Sequence, residues 1–191
     1  MKTAILFAGQ GAQYVGMGKD FYEEYEECRE VYDNANVDFS LQNLCFEGPK
    51  EMLDNTAFAQ SCILTTSIAI SALLKKNGIK ADYVAGLSLG EYSALVASGI
   101  IDFQEAVKLV AKRGQYMTEA APTGSGKMVA VMNTDPALIE EICQKAAEFK
   151  GGIVSPANYN TPAQIVIGGE VEAVDYAVEL LKEAGVRKLI E

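Results

Sequence analysis

The pentapeptide Gly-Leu-Ser-Leu-Gly at residues 86–90 limits the possible folds more than any other part of the sequence. Within residues 82–99, an apolar stretch typical of a strand precedes this turn, and a stretch rich in Ala and Leu that favours a helix follows it. Glycines on both sides of a serine permit a turn tight enough for a strand to pass directly into a helix, with the serine oxygen exposed. The pattern therefore predicts an α/β fold with Ser88 at the end of a strand.

Ser88 is a candidate nucleophile, because the N–H groups at the start of the following helix can stabilise negative charge. An alternative is a serine that only caps this helix, beside glycines that are needed for packing. A serine hydroxyl requires a general base at neutral pH, and the 191 residues contain no histidine. Either the chemistry is of another kind, or the chain is a piece of a longer protein.

The N-terminal residues predict a second strand, followed by a glycine-rich loop. Residues 3–8, TAILFA, favour a buried strand, and residues 9–13, GQGAQ, favour a loop. In that position the backbone N–H of Gln10 is a candidate donor to a developing oxyanion. The loop does not match the dinucleotide-binding pattern Gly-x-Gly-x-x-Gly, because Tyr14 stands where the third glycine is needed.

Residues 121–127 form a linker rich in Pro, Gly and Ser, and the pattern changes beyond them. The second part predicts the order βαββαβ, which is the ferredoxin-like arrangement. The expected strands are 128–132, 153–157, 164–167 and 186–190, with helices from 135 and over 171–184. We therefore expect two domains, 1–125 and 126–191. The first contains only two convincing strands, which is too little sheet for an independent α/β domain.

Composition argues against several functional classes. The chain has 16 Lys and Arg against 26 Asp and Glu, a formal net charge of −10, which disfavours binding to nucleic acid. Its cysteines form no Cys-x-x-Cys pair, and without histidine the sequence predicts no metal site. The apolar start is too short for a signal peptide, so we expect a cytoplasmic protein that does not enter a membrane.

Five separated motifs, in this order, resemble those of the malonyl-CoA:acyl-carrier-protein transacylases. They are FAGQGAQ at 7–13, FAQS with Gln60, GLSLGEYSAL at 86–95, VAKRGQYM at 110–117 and NYNTPAQIVIGG at 158–169. The motifs are spread along the chain, so the resemblance covers essentially all of it. It implies an α/β fold in which an incomplete α/β-hydrolase-like large domain carries an inserted ferredoxin-like small domain.

The resemblance also implies roles for the residues of the serine turn. Ser88 would take the malonyl group from coenzyme A as an ester, in a ping-pong reaction of fatty acid biosynthesis. The phosphopantetheine thiol of acyl carrier protein would then accept that group. The backbone N–H groups of Gln10 and Leu89 would form the oxyanion hole. Malonyl-CoA is a substrate in this scheme, and no cofactor is required.

Four further residues match substrate-binding positions of the family: Arg113, Gln60, Asn158 and Asn160. Arg113 would hold the free carboxylate of the malonyl group, and Gln60 would line the pocket. From the residues alone, a surface arginine near a helix C-terminus is the simpler interpretation, and Gln60 fits a helix-end amide bonded to the backbone. Turn formation before Pro162 explains both asparagines as well as a binding role does.

The chain departs from the family at two points. Leu87 stands beside the serine where the family usually has a histidine. The family's catalytic histidine lies shortly after the last strand of the small domain, where this sequence stops. We therefore expect this sequence to be the N-terminal two thirds of the enzyme. This piece would be inactive unless a missing segment or a second chain supplies the histidine.

Two other functional classes remain open from the sequence, and a transacylase domain cut from a polyketide or fatty-acid synthase is a further option. A serine esterase or thioesterase would share the serine turn and the oxyanion hole, but it would have no need of Arg113. A non-catalytic module that binds a carrier protein would explain the lack of histidine. The five ordered motifs favour the transacylase over both classes.

Overall fold

The computed structural model describes residues 2–122 and 124–191, and it separates the chain into two compact units. The first unit covers residues 1–120 and the second covers residues 121–191. This division precedes the expected one at 125 because the last helix of the first unit ends at Ala120. Thr123, in the expected linker, lies outside the described residues. The described chain is α/β, which confirms the predicted class.

The first unit combines two parallel strands with a set of helices. Its elements are β1 (Ala4–Phe7), α1 (Lys19–Glu24), α2 (Glu26–Asp33), α3 (Leu41–Glu47), α4 (Lys50–Leu53), α5 (Thr56–Lys76), β2 (Tyr83–Gly86), α6 (Leu89–Ala97) and α7 (Phe103–Ala120). In the parallel pair, Ala4 lies opposite Tyr83 and Phe7 opposite Gly86. Both strands therefore end at the same edge, where the loop after β1 meets the turn after β2.

Helix α5 lies at the centre of the first unit's core. Its Cys62 and Leu64 are fully buried, and Asn55 caps its start by accepting a hydrogen bond from the Ala57 N–H. In the described part of the chain, α5 is the one helix long and apolar enough to cross a membrane. Of its most apolar stretch, 56% is buried inside the structure. Burial of this kind is typical of the core helix of a folded domain.

The second unit is a four-stranded antiparallel sheet that packs against two helices. Its elements are β3 (Gly126–Met132), α8 (Pro136–Lys150), β4 (Val154–Thr161), β5 (Gln164–Glu170), α9 (Val171–Glu183) and β6 (Leu189–Ile190). The strand order in the sheet is β4-β5-β3-β6. Val129 and Val131 on β3 join Ile165 and Ile167 on β5 in one buried cluster with residues of both helices. Each pair is two residues apart, so one face of the sheet is buried.

Candidate active site

Ser88 occupies the turn between β2 and α6, which we call the elbow (residues 86–90). Its φ of 51° and ψ of −106° lie in a region that residues with side chains rarely adopt. Holding a serine there costs about 1–3 kcal/mol, so the surrounding structure must enforce the conformation. The Ser88 side chain is exposed and makes no capping hydrogen bond to α6. A serine that only caps a helix does not fit this geometry.

Close backbone packing at three glycines enforces the elbow. A Cβ on Gly86 would lie 1.9 Å from the carbonyl carbon of Gly90, and a Cβ on Gly90 would lie 2.2 Å from the Phe7 carbonyl oxygen. The first turn of α6 thus presses directly on the ends of both strands. A Cβ on Gly9 would lie 2.7 Å from the Leu87 carbonyl oxygen, so the loop after β1 also touches the elbow. These positions have no space for a side chain.

Arg113 contacts Ser88 directly. Its Nη2 donates to Ser88 Oγ at 2.9 Å, and its Nη1 donates to Gln60 Oε1 at 2.7 Å. The guanidinium carbon lies 5.6 Å from the centre of the Tyr92 ring, within the range of a cation–π interaction. Arg113 is half-buried in α7 and points at the serine. The simpler interpretation of this residue as a surface arginine is therefore wrong.

A close crossing of α7 over α5 brings Arg113 into this position. A Cβ on Gly114 would lie 2.4 Å from the Thr56 carbonyl oxygen, so the two helix backbones touch there. Gln60 lies one turn further along α5 and is fully buried. Its Nε2 donates to Met117 Sδ at 3.3 Å, one turn beyond Arg113 in α7. The Gln60 amide therefore bonds to side chains of α7, and the interpretation as a helix-end amide bonded to the backbone is wrong.

In the described residues, no carboxylate forms an ion pair with Arg113. Within residues 2–122 and 124–191, no Asp or Glu oxygen lies within 4.0 Å of its guanidinium nitrogens. Its contacts are the neutral groups of Ser88, Gln60 and Tyr92. A partly buried guanidinium with neutral contacts favours an anionic ligand, and its planar fork suits a carboxylate. The site therefore combines an exposed hydroxyl with a positive charge at hydrogen-bond distance.

Two backbone N–H groups are the predicted donors to an oxyanion. They belong to Gln10, in the glycine-rich loop (residues 9–13), and to Leu89, the first residue of α6. Neither donates to a protein acceptor in the described parts of the chain. The Leu89 side chain is fully buried, and the Gln10 side chain donates from Nε2 to Thr56 Oγ1 at 2.9 Å. Donors fixed in this way can stabilise charge that develops beside the serine.

Asn158 and Asn160 lie in the second unit, on β4 rather than in the expected loop. The strand is longer than expected because this segment continues to pair with β5, past a bulge between Pro156 and Asn158. Asn160 Nδ2 donates to Gln164 Oε1 at 2.9 Å across the pair. The contacts around the serine that are described above all lie within the first unit.

Three residues that were not predicted from the sequence also contact the site. These are Tyr92, Met117 and Thr56. Tyr92 follows Ser88 by four residues, and Met117 follows Arg113 by four residues. Residues four apart lie on one face of a helix, so this spacing was a usable signal for both. No local signal connects Thr56 with its partner, because the two lie on elements far apart in the sequence.

The cysteines do not compete with Ser88 as nucleophiles. They are buried and form no disulfide. Burial raises the pKa of the Cys143 thiol to about 11 and also raises the pKa of Cys28. A hydrogen bond with Cys45, together with burial, raises the pKa of Cys62. Buried neutral thiols are poor nucleophiles and poor metal ligands. Across the described ranges, no group of three or more Cys, Asp or Glu is placed to hold a metal ion.

Comparison with known proteins identifies relatives along the whole chain. A family model described as the acyl transferase domain matches residues 5–191. The chain is 45% identical over 191 residues to the malonyl CoA-acyl carrier protein transacylase of Bacillus subtilis, and 43% identical over 190 residues to that of Escherichia coli K12. These matches cover 99% and 98% of this chain but only 60% and 61% of the two relatives. The chain therefore spans about three fifths of the length of these curated relatives.

Solved structures give the same result. The crystal structure of MCAT from Streptococcus pneumoniae is 61% identical, with a TM-score of 0.92, and the match covers 99% of this chain and 62% of that one. A structure described as a type II PKS acyl-carrier protein in complex with its malonyl-transacylase is 38% identical, also with a TM-score of 0.92. That match covers 100% of this chain and 62% of the other.

Proposed function

The chain belongs to the acyl transferase domain family, and from this membership we propose that it carries the acyl-accepting serine of a malonyl-CoA:acyl-carrier-protein transacylase. Relatives with this name share 41–45% identity with the chain. The reaction belongs to fatty acid biosynthesis, and the enzyme acts in the cytoplasm. Malonyl-CoA and acyl carrier protein are its two substrates.

The observation that carries this proposal is the 2.9 Å contact between Arg113 Nη2 and Ser88 Oγ. A malonyl group is a short diacid, so the carboxylate of a malonyl ester on Ser88 stays close to the ester oxygen. In this proposal Arg113 holds it with two parallel hydrogen bonds. An acetyl group has no such carboxylate and would leave the guanidinium unpaired, which disfavours its binding.

The reaction follows from these positions in two steps. Ser88 Oγ attacks the thioester carbonyl carbon of malonyl-CoA, a base takes its proton, and the N–H groups of Gln10 and Leu89 donate to the oxyanion. The C–S bond breaks, and coenzyme A leaves as a thiol once it has received that proton. The phosphopantetheine thiol of acyl carrier protein then gives its proton to the base and attacks the carbonyl carbon of the malonyl ester. The C–O bond to Ser88 breaks, and Ser88 Oγ takes that proton to regenerate the hydroxyl.

A histidine outside these 191 residues is the proposed base, because the chain contains no histidine. A missing segment or a second chain would supply it. Without that base, Ser88 in the 191 residues alone is too weak a nucleophile for sustained malonyl transfer. The steps use proton and acyl transfer only, so no metal or cofactor has a role in them.

We assign the two units to the domains of this enzyme as follows. The first is part of an α/β-hydrolase-like domain, which is supported by the strand, elbow and helix around Ser88. The second is a ferredoxin-like domain, which is supported by the order βαββαβ and the sheet order β4-β5-β3-β6. Asn158 and Asn160 on β4 are proposed to bind substrate or carrier protein.

The same observations weigh against the two alternative functions. Hydrolysis of a simple ester has no use for a guanidinium at hydrogen-bond distance from the nucleophile. A module that only binds a carrier protein has no use for a serine with a φ of 51°, because strain of this kind is retained where it serves chemistry.

Intact-mass spectrometry of the full-length protein after incubation with malonyl-CoA tests the proposal. We expect the wild-type mass to increase by one malonyl group and to return to its starting value when phosphopantetheinylated carrier protein is added. The Ser88→Ala variant is the control and should gain nothing. A wild-type protein that gains no malonyl group, or a variant that gains one, would contradict the proposal.

A further inference from the structure

Gln13, which the proposed reaction does not use, ties the glycine-rich loop to the junction between α4 and α5. Its Oε1 accepts a hydrogen bond from the Gly11 N–H at 2.8 Å. Its Nε2 donates to Asp54 Oδ1 at 3.0 Å. The side-chain amide therefore bridges the backbone of the loop and a residue that lies 41 positions further along the chain.

Both ends of this amide are used, so it has one favourable orientation. If the amide flipped, its NH₂ would face the Gly11 N–H and its oxygen would face the Asp54 carboxylate. Both contacts would be repulsive. Gln13 thus acts as a directional link, and as long as Asp54 is its partner, a residue that offers only a donor or only an acceptor cannot replace it.

Asp54 is a firm attachment point for this link. It ends α4, its N–H donates to the Lys50 carbonyl oxygen at 2.8 Å, and the next residue caps α5. Its carboxylate also forms an ion pair with the Lys50 side chain. Hydrogen bonds from Lys50 and Gln13 hold the pKa of Asp54 below its ordinary value, so it is charged at neutral pH. A charged acceptor strengthens the bond from Gln13.

The segment held by this link needs support. Gly11 has a φ of +105° and no atoms near the position of a side chain, so little packing restrains it. The peptide group between Gln10 and Gly11 contains the N–H that donates to Gln13. Fixing that peptide group limits the backbone rotation at Gln10, whose own N–H is the proposed oxyanion donor. The Gln10 side chain is fixed separately through Thr56.

We propose that Gln13 is a positioning residue, which directs the Gln10 N–H at the oxyanion by linking the Gly11 N–H to Asp54. The inference rests on the proposed function for the identity of the reaction, but the link itself is a property of the loop. Gln13 does not touch the reacting atoms in this scheme. Its effect should therefore appear in kcat, with little change in KM.

The size of the effect follows from the donor that it directs. Removing one oxyanion donor typically lowers kcat by about 10²–10³-fold, and a misdirected donor loses part of that. For Gln13→Ala in the full-length protein we expect a fall of about tenfold in kcat and a KM within about twofold of wild type. Gln104→Ala is the matched control, because Gln104 is an exposed glutamine on α7 outside the site.

The decisive test exchanges the amide and the carboxylate between positions 13 and 54. Gln13→Glu places two carboxylates in contact and should lower kcat about as much as Gln13→Ala. Asp54→Asn keeps an acceptor oxygen and should have little effect. The double variant Gln13→Glu/Asp54→Asn restores a donor facing an acceptor and leaves a carboxylate oxygen for the Gly11 N–H. It should recover kcat to within about twofold of wild type.

Hydrogen exchange at the Gly11 N–H, measured by NMR in the same proteins, reports the link without any activity. We expect slow exchange in wild type and in the double variant, and faster exchange in Gln13→Ala and Gln13→Glu. A double variant as impaired as Gln13→Glu, or Gly11 exchange unchanged in Gln13→Ala, would overturn the proposal. If wild type transfers no malonyl group, the proposed function fails, and the exchange rates still decide whether Gln13 holds the loop.

Discussion

The two units of this chain differ in where their backbone departs from regular structure. In the first unit, Ser88 is held at positive φ by backbone contacts at Gly86 and Gly90. In the second unit, the described non-glycine residue with positive φ is Asn133, after β3, and asparagine tolerates that conformation. Strain on a residue type that does not tolerate it coincides here with the proposed nucleophile, whereas positive φ on a residue type that tolerates it lies in a turn.

The largest effect on malonyl transfer is expected from substitutions of Ser88, and the same variants test whether its backbone is strained. Ser88→Ala should lower malonyl transfer by at least about a thousandfold, because it removes the proposed nucleophile. Ser88→Gly should be equally inactive yet more stable by about 1 kcal/mol, since glycine removes the strain. The measurements are transfer rate and urea unfolding of the full-length protein. Asn133→Gly is the matched control, and a gain in stability as large as that of Ser88→Gly would break the contrast.

The second prediction compares one glycine from each unit. Gly90→Ala should destabilise the first unit by about 3 kcal/mol or more, because its Cβ would lie 2.2 Å from backbone oxygen of β1. Gly168→Ala on β5 should cost less than about 1 kcal/mol, since its Cβ would meet the flexible Met128 side chain at 3.4 Å. Chemical denaturation followed by hydrogen exchange assigns each loss to its unit. Equal losses would contradict the packing argument.

A third prediction concerns the fork of Arg113. Arg113→Lys keeps the positive charge but cannot serve Gln60 and a carboxylate at once, so kcat/KM for malonyl-CoA should fall by about tenfold. The melting temperature should change little, because Arg113 is only half-buried. Steady-state kinetics on the full-length protein measure the change. Full activity in the lysine variant would mean that charge alone is sufficient at this position.

The smallest effect is expected on β4 of the second unit. Asn160 is exposed and bonds only to Gln164, so Asn160→Ala should change stability by less than about 0.5 kcal/mol. If the proposed binding role of this residue is correct, the KM for malonyl-CoA or for carrier protein should rise. An unchanged KM for both substrates would leave Asn160 with its structural role alone.

Elements whose structure depends mainly on neighbouring residues could be predicted from the local sequence. The elbow was predictable because two glycines around a serine, between an apolar run and a helix-forming run, fit few other structures. The order βαββαβ was predictable for the same reason, since Asp135 and Gly151 mark the ends of α8 by their capping behaviour.

Contacts between distant elements were not predictable from local sequence. The position of Arg113 depends on the crossing at Gly114, and only the structure shows that Thr56 lies there. The longer β4 was missed because Pro156 and the asparagines favour a turn. As β4 is the edge strand of its sheet, it tolerates proline beside a bulge.

The break between α1 and α2 shows the same limit. The apolar spacing over 18–36 favours a single amphipathic helix, but α1 and α2 are separated at Tyr25, whose backbone is extended. Arg29 Nη1 donates to the carbonyl oxygens of Tyr22 and Glu23, which the end of α1 leaves without helical partners. The bond from the side chain to the backbone stabilises a break that periodicity does not reveal.

We propose that Ser88 accepts an acyl group and that Arg113 holds the carboxylate of that group. The most direct test is the intact mass of the full-length protein after a brief incubation with equal amounts of malonyl-CoA and acetyl-CoA. We predict that wild type carries the malonyl group almost exclusively, and that Arg113→Ala loses this preference while still acylating Ser88. Equal acetyl and malonyl adducts on wild type, or an unchanged preference in Arg113→Ala, would contradict the claim.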